Sequence, residues 1–251
     1  MHKITDGVIL MAGMGSRLRA SGEMLPKPLV PIFGRPLISY IVDALEKVGV
    51  QNLHAVIGAE GDALVAALRP LLPLSMRLNP ISNPNWKMQN GVSVLCAAGK
   101  VREPFFLAMG DHLFDPSVLD RIVEKADRSE LNLAIDRKIK TIFDLDDAMK
   151  VQTDADRVIA IGKDLANYDA IDTGVFLCPN ELFDYLRRAR RNSDCSLADG
   201  VRLLAEEGKV RAIDIGGAWW QDVDNFAMRR RAEEELSKRQ MLRPEEPSVH
   251  S

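Results

Sequence analysis

Two cations beside a glycine-containing turn are the residues of this chain best suited to chemistry. The stretch Leu10-Met11-Ala12-Gly13-Met14-Gly15-Ser16-Arg17-Leu18 is followed closely by Leu25-Pro26-Lys27-Pro28-Leu29. An apolar run over 8–12 predicts a buried first strand, and Gly13 and Gly15 remove side chains where the backbone turns sharply and nears a ligand. Backbone N–H groups in such a loop can face phosphate oxygens, which makes Leu10, Ala12, Gly13, Met14, Gly15 and Ser16 candidates for holding a nucleoside triphosphate. Arg17 adds a planar, permanently charged fork, and Lys27 a compact ammonium whose backbone two prolines restrict. A bare Gly-x-Gly also fits a plain strand-to-helix turn; the added Arg17 and Pro-Lys-Pro favour polyphosphate. Leu18 stands where a dinucleotide fingerprint needs its third glycine, and no Gly-x-x-x-x-Gly-Lys-Ser/Thr occurs, so neither a Rossmann oxidoreductase nor a P-loop ATPase is expected.

Carboxylates come next. Asp111 follows the apolar run 105–109 and Gly110, at the carboxyl end of an expected central strand, where open α/β sheets place their ligands. An exposed carboxylate beside a triphosphate can hold Mg²⁺, which takes one or two protein carboxylates and fills its shell with phosphate and water. Trp219-Trp220-Gln221-Asp222-Val223-Asp224-Asn225 supplies a second, with Asp222 the metal candidate and Asp224 or Asn225 read as caps of the helix that follows. For His112 a proton-shuttling role stands against packing or orienting its neighbour.

The elements that must position these groups alternate. Helices are expected from Pro36 to Gly49, over 62–72, 89–98, 116–126, 181–190 and 196–207, and from 226 to about 240; strands over 53–57, 76–78, 105–109, 131–135, 171–177 and 210–215. This rhythm gives an α/β, Rossmann-like, mostly parallel sheet sandwiched by helices. Residues 148–162 break it with a β-hairpin around the polar turn 154–157, expected to cover a second substrate. Residues 1–243 form the expected single domain. The charge run Arg229-Arg230-Arg231-Ala232-Glu233-Glu234-Glu235 reads as a solvated helix face, and 244–251 as a disordered tail.

Composition limits the partners. Lys and Arg number 33 against 36 Asp and Glu, a net charge of −3, which gives no long-range attraction to nucleic acid or an anionic membrane. No uncharged apolar run nears the roughly 20 residues that span a bilayer, and no basic-then-apolar leader opens the chain. Cys96, Cys178 and Cys195 have neither even number nor C-x-x-C spacing, so reduced packing thiols are expected. The expectation is a cytoplasmic protein with a small ligand.

In order along the chain, the glycine loop, Arg17, Lys27, Gly110-Asp111 and Trp220-Gln221-Asp222 resemble the sugar-phosphate nucleotidyltransferase superfamily. Met109-Gly110-Asp111-His112, Ala134-Ile135-Asp136-Arg137, Ile161-Gly162-Lys163-Asp164-Leu165, Ile171-Asp172-Thr173-Gly174 and Trp220 to Asp224 are similar to CTP:inositol-1-phosphate cytidylyltransferases in particular. Gly162-Lys163-Asp164 replaces the Glu-Lys-Pro of relatives that act on sugar phosphates, and Trp220 to Asn225 replaces their Trp-x-Asp-x-Gly-Thr, which argues against a hexose-1-phosphate. The resemblance implies an Mg²⁺-dependent transfer of CMP from CTP to inositol-1-phosphate. It places Gln89, Asn90, Gly91 and Ser93 at the pyrimidine, with helix capping as a second role for Asn90. It puts Lys163 at the acceptor phosphate, with Lys150 and Arg137 as further cations and a plain surface lysine the alternative for Lys150. Asp136, Asp172, Thr173 and Gly174 fall beside the acceptor, and a homodimer stays open by analogy. Other readings are a cytidylyltransferase for phosphocholine or aminoethylphosphonate, since soluble relatives with Asn-Pro-x-Trp/Tyr segments like Asn83-Pro84-Asn85-Trp86 act on such acceptors, and a noncatalytic nucleotide-binding module.

Overall fold

The computed structural model describes residues 3–13, 25–58 and 61–241. Met14, Gly15, Ser16 and Arg17 of the expected phosphate loop, and the tail 244–251, lie outside them. Thirteen strands are described: β1 (Asp6–Met11), β2 (Pro31–Ile32), β3 (Arg35–Pro36), β4 (Asn52–Ile57), β5 (Arg77–Ser82), β6 (Phe105–Met109), β7 (His112–Phe114), β8 (Leu131–Asp136), β9 (Lys150–Asp154), β10 (Arg157–Gly162), β11 (Ala170–Cys178), β12 (Val210–Asp214) and β13 (Trp220–Asp222). Nine make one sheet in the order β5-β4-β1-β6-β11-β8-β12-β10-β9. Its first four strands run parallel and β11 enters antiparallel between β6 and β8. Both faces are covered at the middle of the sheet, and there the parallel strands β1, β4 and β6 are largely buried and apolar. Neighbours on β1 point to opposite sides: Ile9 joins a core with Ile38, Ile41 and Leu45 of the helix Leu37–Lys47, and Val8 joins one with Leu182, Leu186 and Val201 of the helices Glu181–Ala189 and Leu197–Glu206.

Local chemistry sets the boundaries. Pro36 precedes the helix Leu37–Lys47 as its cap and is not its first turn; Gly49, at φ 91°, ends it, with Val50 N–H closing on Leu45 O at 3.0 Å. The helix expected over 62–72 runs Gly61–Leu68 and then tightens into a 3₁₀ turn, Arg69–Leu71, because Pro70 has no N–H to continue it. The helix expected over 89–98 is only Asn90–Leu95, after which 96–98 bond three residues back. The strand expected over 76–78 extends to Ser82 despite Pro80, since β5 is an edge strand with one unpaired side.

Two features shape the site end of the sheet. The β9–β10 hairpin is part of the main sheet and not a separate flap: beyond the end of β6, Ala170 and Ile171 of β11 pair with Val151 and Lys150 of β9. The short strands β7 and β13, too brief for any sequence period, pair antiparallel and set Asp222 opposite His112.

Candidate active site

A cavity of about 760 Å³ opens over the carboxyl ends of β1, β6 and β8 and the start of β11. Leu10, Ala12 and Gly13 line one side, and a Cβ on Gly13 would meet nothing within 4 Å. Asn90 and Ser93 line it too, whereas Gln89 and Gly91 do not. Positions three apart share a helix face, and the turn puts Gly91 against the next helix, where a Cβ would lie 2.7 Å from Cys195 O. Gln89 is exposed and gives its backbone N–H to Asp194. Asn90 does cap a helix, though not its own: its Oδ1 accepts from Leu197 N–H at 2.8 Å. Ser93 Oγ accepts from Asn83 at 2.9 Å, which fixes it from behind.

Asp111 and Asp224 line the cavity and Lys27 does not: from behind them, its Nζ donates to Asp111 Oδ2 at 2.6 Å and to Asp224 Oδ1. Two carboxylates thus share one ammonium. His112 Nδ1 lies 2.7 Å from Asp111 Oδ1, and its ring stacks on Trp220. Burial alone would push the Asp111 carboxyl up, but Lys27 and His112 overcome it and hold it far below the usual carboxylate range. Burial opposes charging of His112, yet Asp111 wins and its value rises. The expected cap role of Asp224 is corrected: Asn225 caps, its Oδ1 accepting from Met228 N–H at 3.0 Å, and the Asp224 carboxylate turns to Lys27. Asp222 lines the cavity with Oδ1 held by Gln221 at 2.8 Å.

On the acceptor side, Lys163 lines the cavity and pairs with Asp147. Asp136 also lines it, but both its oxygens are taken: Oδ1 by the Lys138 backbone and ammonium, Oδ2 by Trp220 Nε1 at 3.1 Å. Lys138, which sequence reasoning missed, therefore stands in the cavity between Asp136 and Gly216 O. Arg137, next on the strand, points the other way and binds Asp169, Thr153 and Ala155 of the hairpin region, outside the cavity. Lys150 gives its ammonium to Lys163 O at 2.6 Å, and Thr173 Oγ1 is buried on Ala134 O; neither lines the cavity. Asp172 does, and burial lifts its carboxyl to about 6 against the pull of Gly174 N–H. Gly174 sits at φ 75°, where a Cβ would lie 2.8 Å from His112 Cδ2, so the backbone approaches the imidazole as only glycine permits.

Comparison with known proteins places the chain. The MobA-like NTP transferase domain matches residues 7–193. The chain belongs to this family. Among the NTP transferase's relatives, the bifunctional IPC transferase and DIPP synthase of Rubrobacter xylanophilus is 33% identical over 219 residues, 86% of this chain and 48% of the relative. That of Archaeoglobus fulgidus is 30% identical over 234 residues, 93% of this chain and 44% of the relative. The chain spans about half the length of these curated relatives. The inositol-1-phosphate CTP transferase from T. maritima superposes with a TM-score of 0.84 at 26% identity, over 94% of this chain and 96% of that one. A UDP-glucose pyrophosphorylase shares the fold at a TM-score of 0.79 and 17% identity, over 94% of this chain and 99% of that one. Among the described residues no helix is long and apolar enough to cross a membrane.

The donor set of this NTP transferase suits a metal that needs help from its substrate. Among the described residues no three His, Cys, Asp or Glu side chains converge on one point. Asp111 and Asp224 converge on a single cation, Lys27, so the protein offers two carboxylates and phosphate would complete the shell.

Proposed function

We propose that this NTP transferase is a CTP:inositol-1-phosphate cytidylyltransferase, moving CMP from CTP to inositol-1-phosphate to give CDP-inositol and pyrophosphate with Mg²⁺ as cofactor. The observation that carries the reading is one continuous cavity with Asp111 at its middle, the loop side of β1 on one hand and Lys138, Lys163 and Asp172 on the other. Names of relatives in both comparisons support it.

An oxygen of the acceptor phosphate forms a bond to the α-phosphorus of CTP while the bond from that phosphorus to the β-bridging oxygen breaks, and pyrophosphate leaves. The nucleophile is already anionic at neutral pH, so no general base is required. The protein's task is to align two polyanions and offset their repulsion. Lys27, with Arg17 from the loop, serves the departing pyrophosphate, and Lys163 and Lys138 serve the acceptor phosphate. A divalent cation held by Asp111 with Asp224, and with Asp222 beside them, would neutralise charge where the phosphates meet.

The amine-acceptor alternative draws less support, because a quaternary ammonium needs open aromatic faces. Trp86 lies under Lys87 at 5.3 Å, Trp219 under Arg239 at 6.0 Å, and Trp220 stacks on His112. Pyrophosphate release should be measured with each of the four ribonucleoside triphosphates against inositol-1-phosphate, phosphocholine, aminoethylphosphonate and glucose-1-phosphate. Turnover confined to CTP with inositol-1-phosphate is expected; turnover with another acceptor overturns the assignment, and none with any pair favours the noncatalytic module.

A further inference from the structure

The charge run of the last helix does not face water as one block. In the helix Phe226–Met241, Met228 and Ala232 are fully buried in the core, and Leu236 packs against it. Arg230 and Glu234 form the solvated row expected of such a run, at 83% and 55% side-chain exposure. The row between, Arg231, Glu235 and Arg239 at spacing four, lines the catalytic cavity. Arg231 Nη2 donates to Thr141 O at 2.8 Å, and its guanidinium lies 5.2 Å from the Phe143 ring centroid. Thr141 and Phe143 belong to the loop between β8 and β9, which lines the cavity and also carries Asp147, the partner of Lys163.

We propose that the cavity-facing row of the C-terminal helix selects the acceptor: Arg231 is a positioning residue that fixes the loop at Thr141 and Phe143, and Glu235 and Arg239 contact hydroxyls of a phosphorylated polyol. Glu235 Oε1 accepts from Lys238 at 2.7 Å and Arg239 Nη1 donates to Asp115 at 3.4 Å; the remaining acceptor capacity of the carboxylate and donors of the guanidinium, set one turn apart, complement hydroxyls that do both. This rests on the cytidylyltransferase reading above and adds to it the groups that tell a polyol from a smaller phosphate ester.

Steady-state kinetics of wild type, Arg231→Ala, Arg231→Lys and Glu235→Gln, with inositol-1-phosphate and with glycerol-3-phosphate, test the proposal. Arg231→Ala should raise KM for inositol-1-phosphate about tenfold, the scale of one charged hydrogen bond, with KM for CTP within about twofold. Arg231→Lys, which keeps one donor for Thr141 O, should recover part of it. Glu235→Gln should narrow the kcat/KM preference for inositol-1-phosphate over glycerol-3-phosphate. Melting temperatures check that each variant folds; one that does not is replaced by Arg231→Gln, read the same way. Unchanged acceptor KM in Arg231→Ala, or equal change for CTP and acceptor, overturns the proposal while the cytidylyltransferase reading stands. Wild type without turnover overturns that reading and this inference with it.

Discussion

Lys27 is the residue on which the others depend, because its single positive charge is shared by Asp111 and Asp224. Asp111→Asn and Asp224→Asn should each lower kcat at least about a hundredfold, the scale of a strong electrostatic contact in a closed site. Asp222→Asn should cost less, since Gln221 and not Lys27 holds that carboxylate. Lys27→Met should lower kcat yet raise affinity for Mn²⁺ in the absence of nucleotide, because it leaves two carboxylates facing each other. Titration of free Mn²⁺ by electron paramagnetic resonance reads this, and an affinity no higher than wild type counts against the shared site. Asp172 has the opposite electrostatics. Burial lifts it from 3.8 to about 6, so folding favours its protonated form. That contribution to stability is complete below the unfolded value and is lost as pH rises through about 6. Acceptor binding needs the carboxylate to accept hydroxyl hydrogens, so acceptor KM should climb as pH falls through about 6 and Asp172→Asn should flatten the profile. A flat wild-type profile would remove Asp172 from the acceptor site. Asp111 and Lys27 were legible in the sequence because a strand end and a proline-flanked cation are local signals. Asp224 was not: a one-residue difference in where the helix cap falls, at Asn225, decides whether its carboxylate caps or reaches Lys27.

Elements explain the other departures. Strand alternation sends Asp136 to the cavity and Arg137 to the opposite side, a distinction blurred when four consecutive residues are matched as one motif. Arg137 ties β8 to the hairpin region through Asp169 and Thr153. Because the Arg137 side chain is 36% exposed, the tie is worth about 1 kcal/mol once solvent screening is allowed for. Arg137→Ala should therefore lower the melting temperature by roughly 2–4 °C with acceptor KM near wild type, whereas Lys163→Ala should raise that KM with KM for CTP unchanged. The reverse pattern in calorimetry and kinetics would return Arg137 to the acceptor. The hairpin itself was legible, since two apolar runs flank a polar turn, but its pairing with β11 was not. Long-range pairing leaves no mark in either segment alone. The same holds for β7 and β13, three residues each, whose pairing sets Asp222 across from His112.

Among the described residues two polar clusters sit at opposite ends of the sheet, the site at the carboxyl end of the parallel strands and a buried cluster around Asp6 at the amino end. There Asp6, 3% exposed, accepts from Thr5, Asn52 and the Arg102 backbone and contacts His54 Nε2 at 3.0 Å. Burial pushes its carboxyl up, but these donors together bring it below the ordinary value of 3.8. By the linkage rule its stabilisation is present above the unfolded value and lost as pH falls through the folded one, the mirror of Asp172. Asp6→Ala strands several buried donors and should cost about 2–4 kcal/mol without touching the cavity on the far side of the sheet. Urea midpoints at neutral pH should drop sharply, while kcat and both KM values of the folded variant stay within about twofold of wild type. The difference in midpoint between wild type and variant should also shrink on acidification below about pH 4, where the Asp6 carboxylate gives up its advantage. A variant as stable as wild type would show that the sheet's amino end is held by its apolar layers alone; a stable variant with altered KM would show that the two ends of the sheet are coupled.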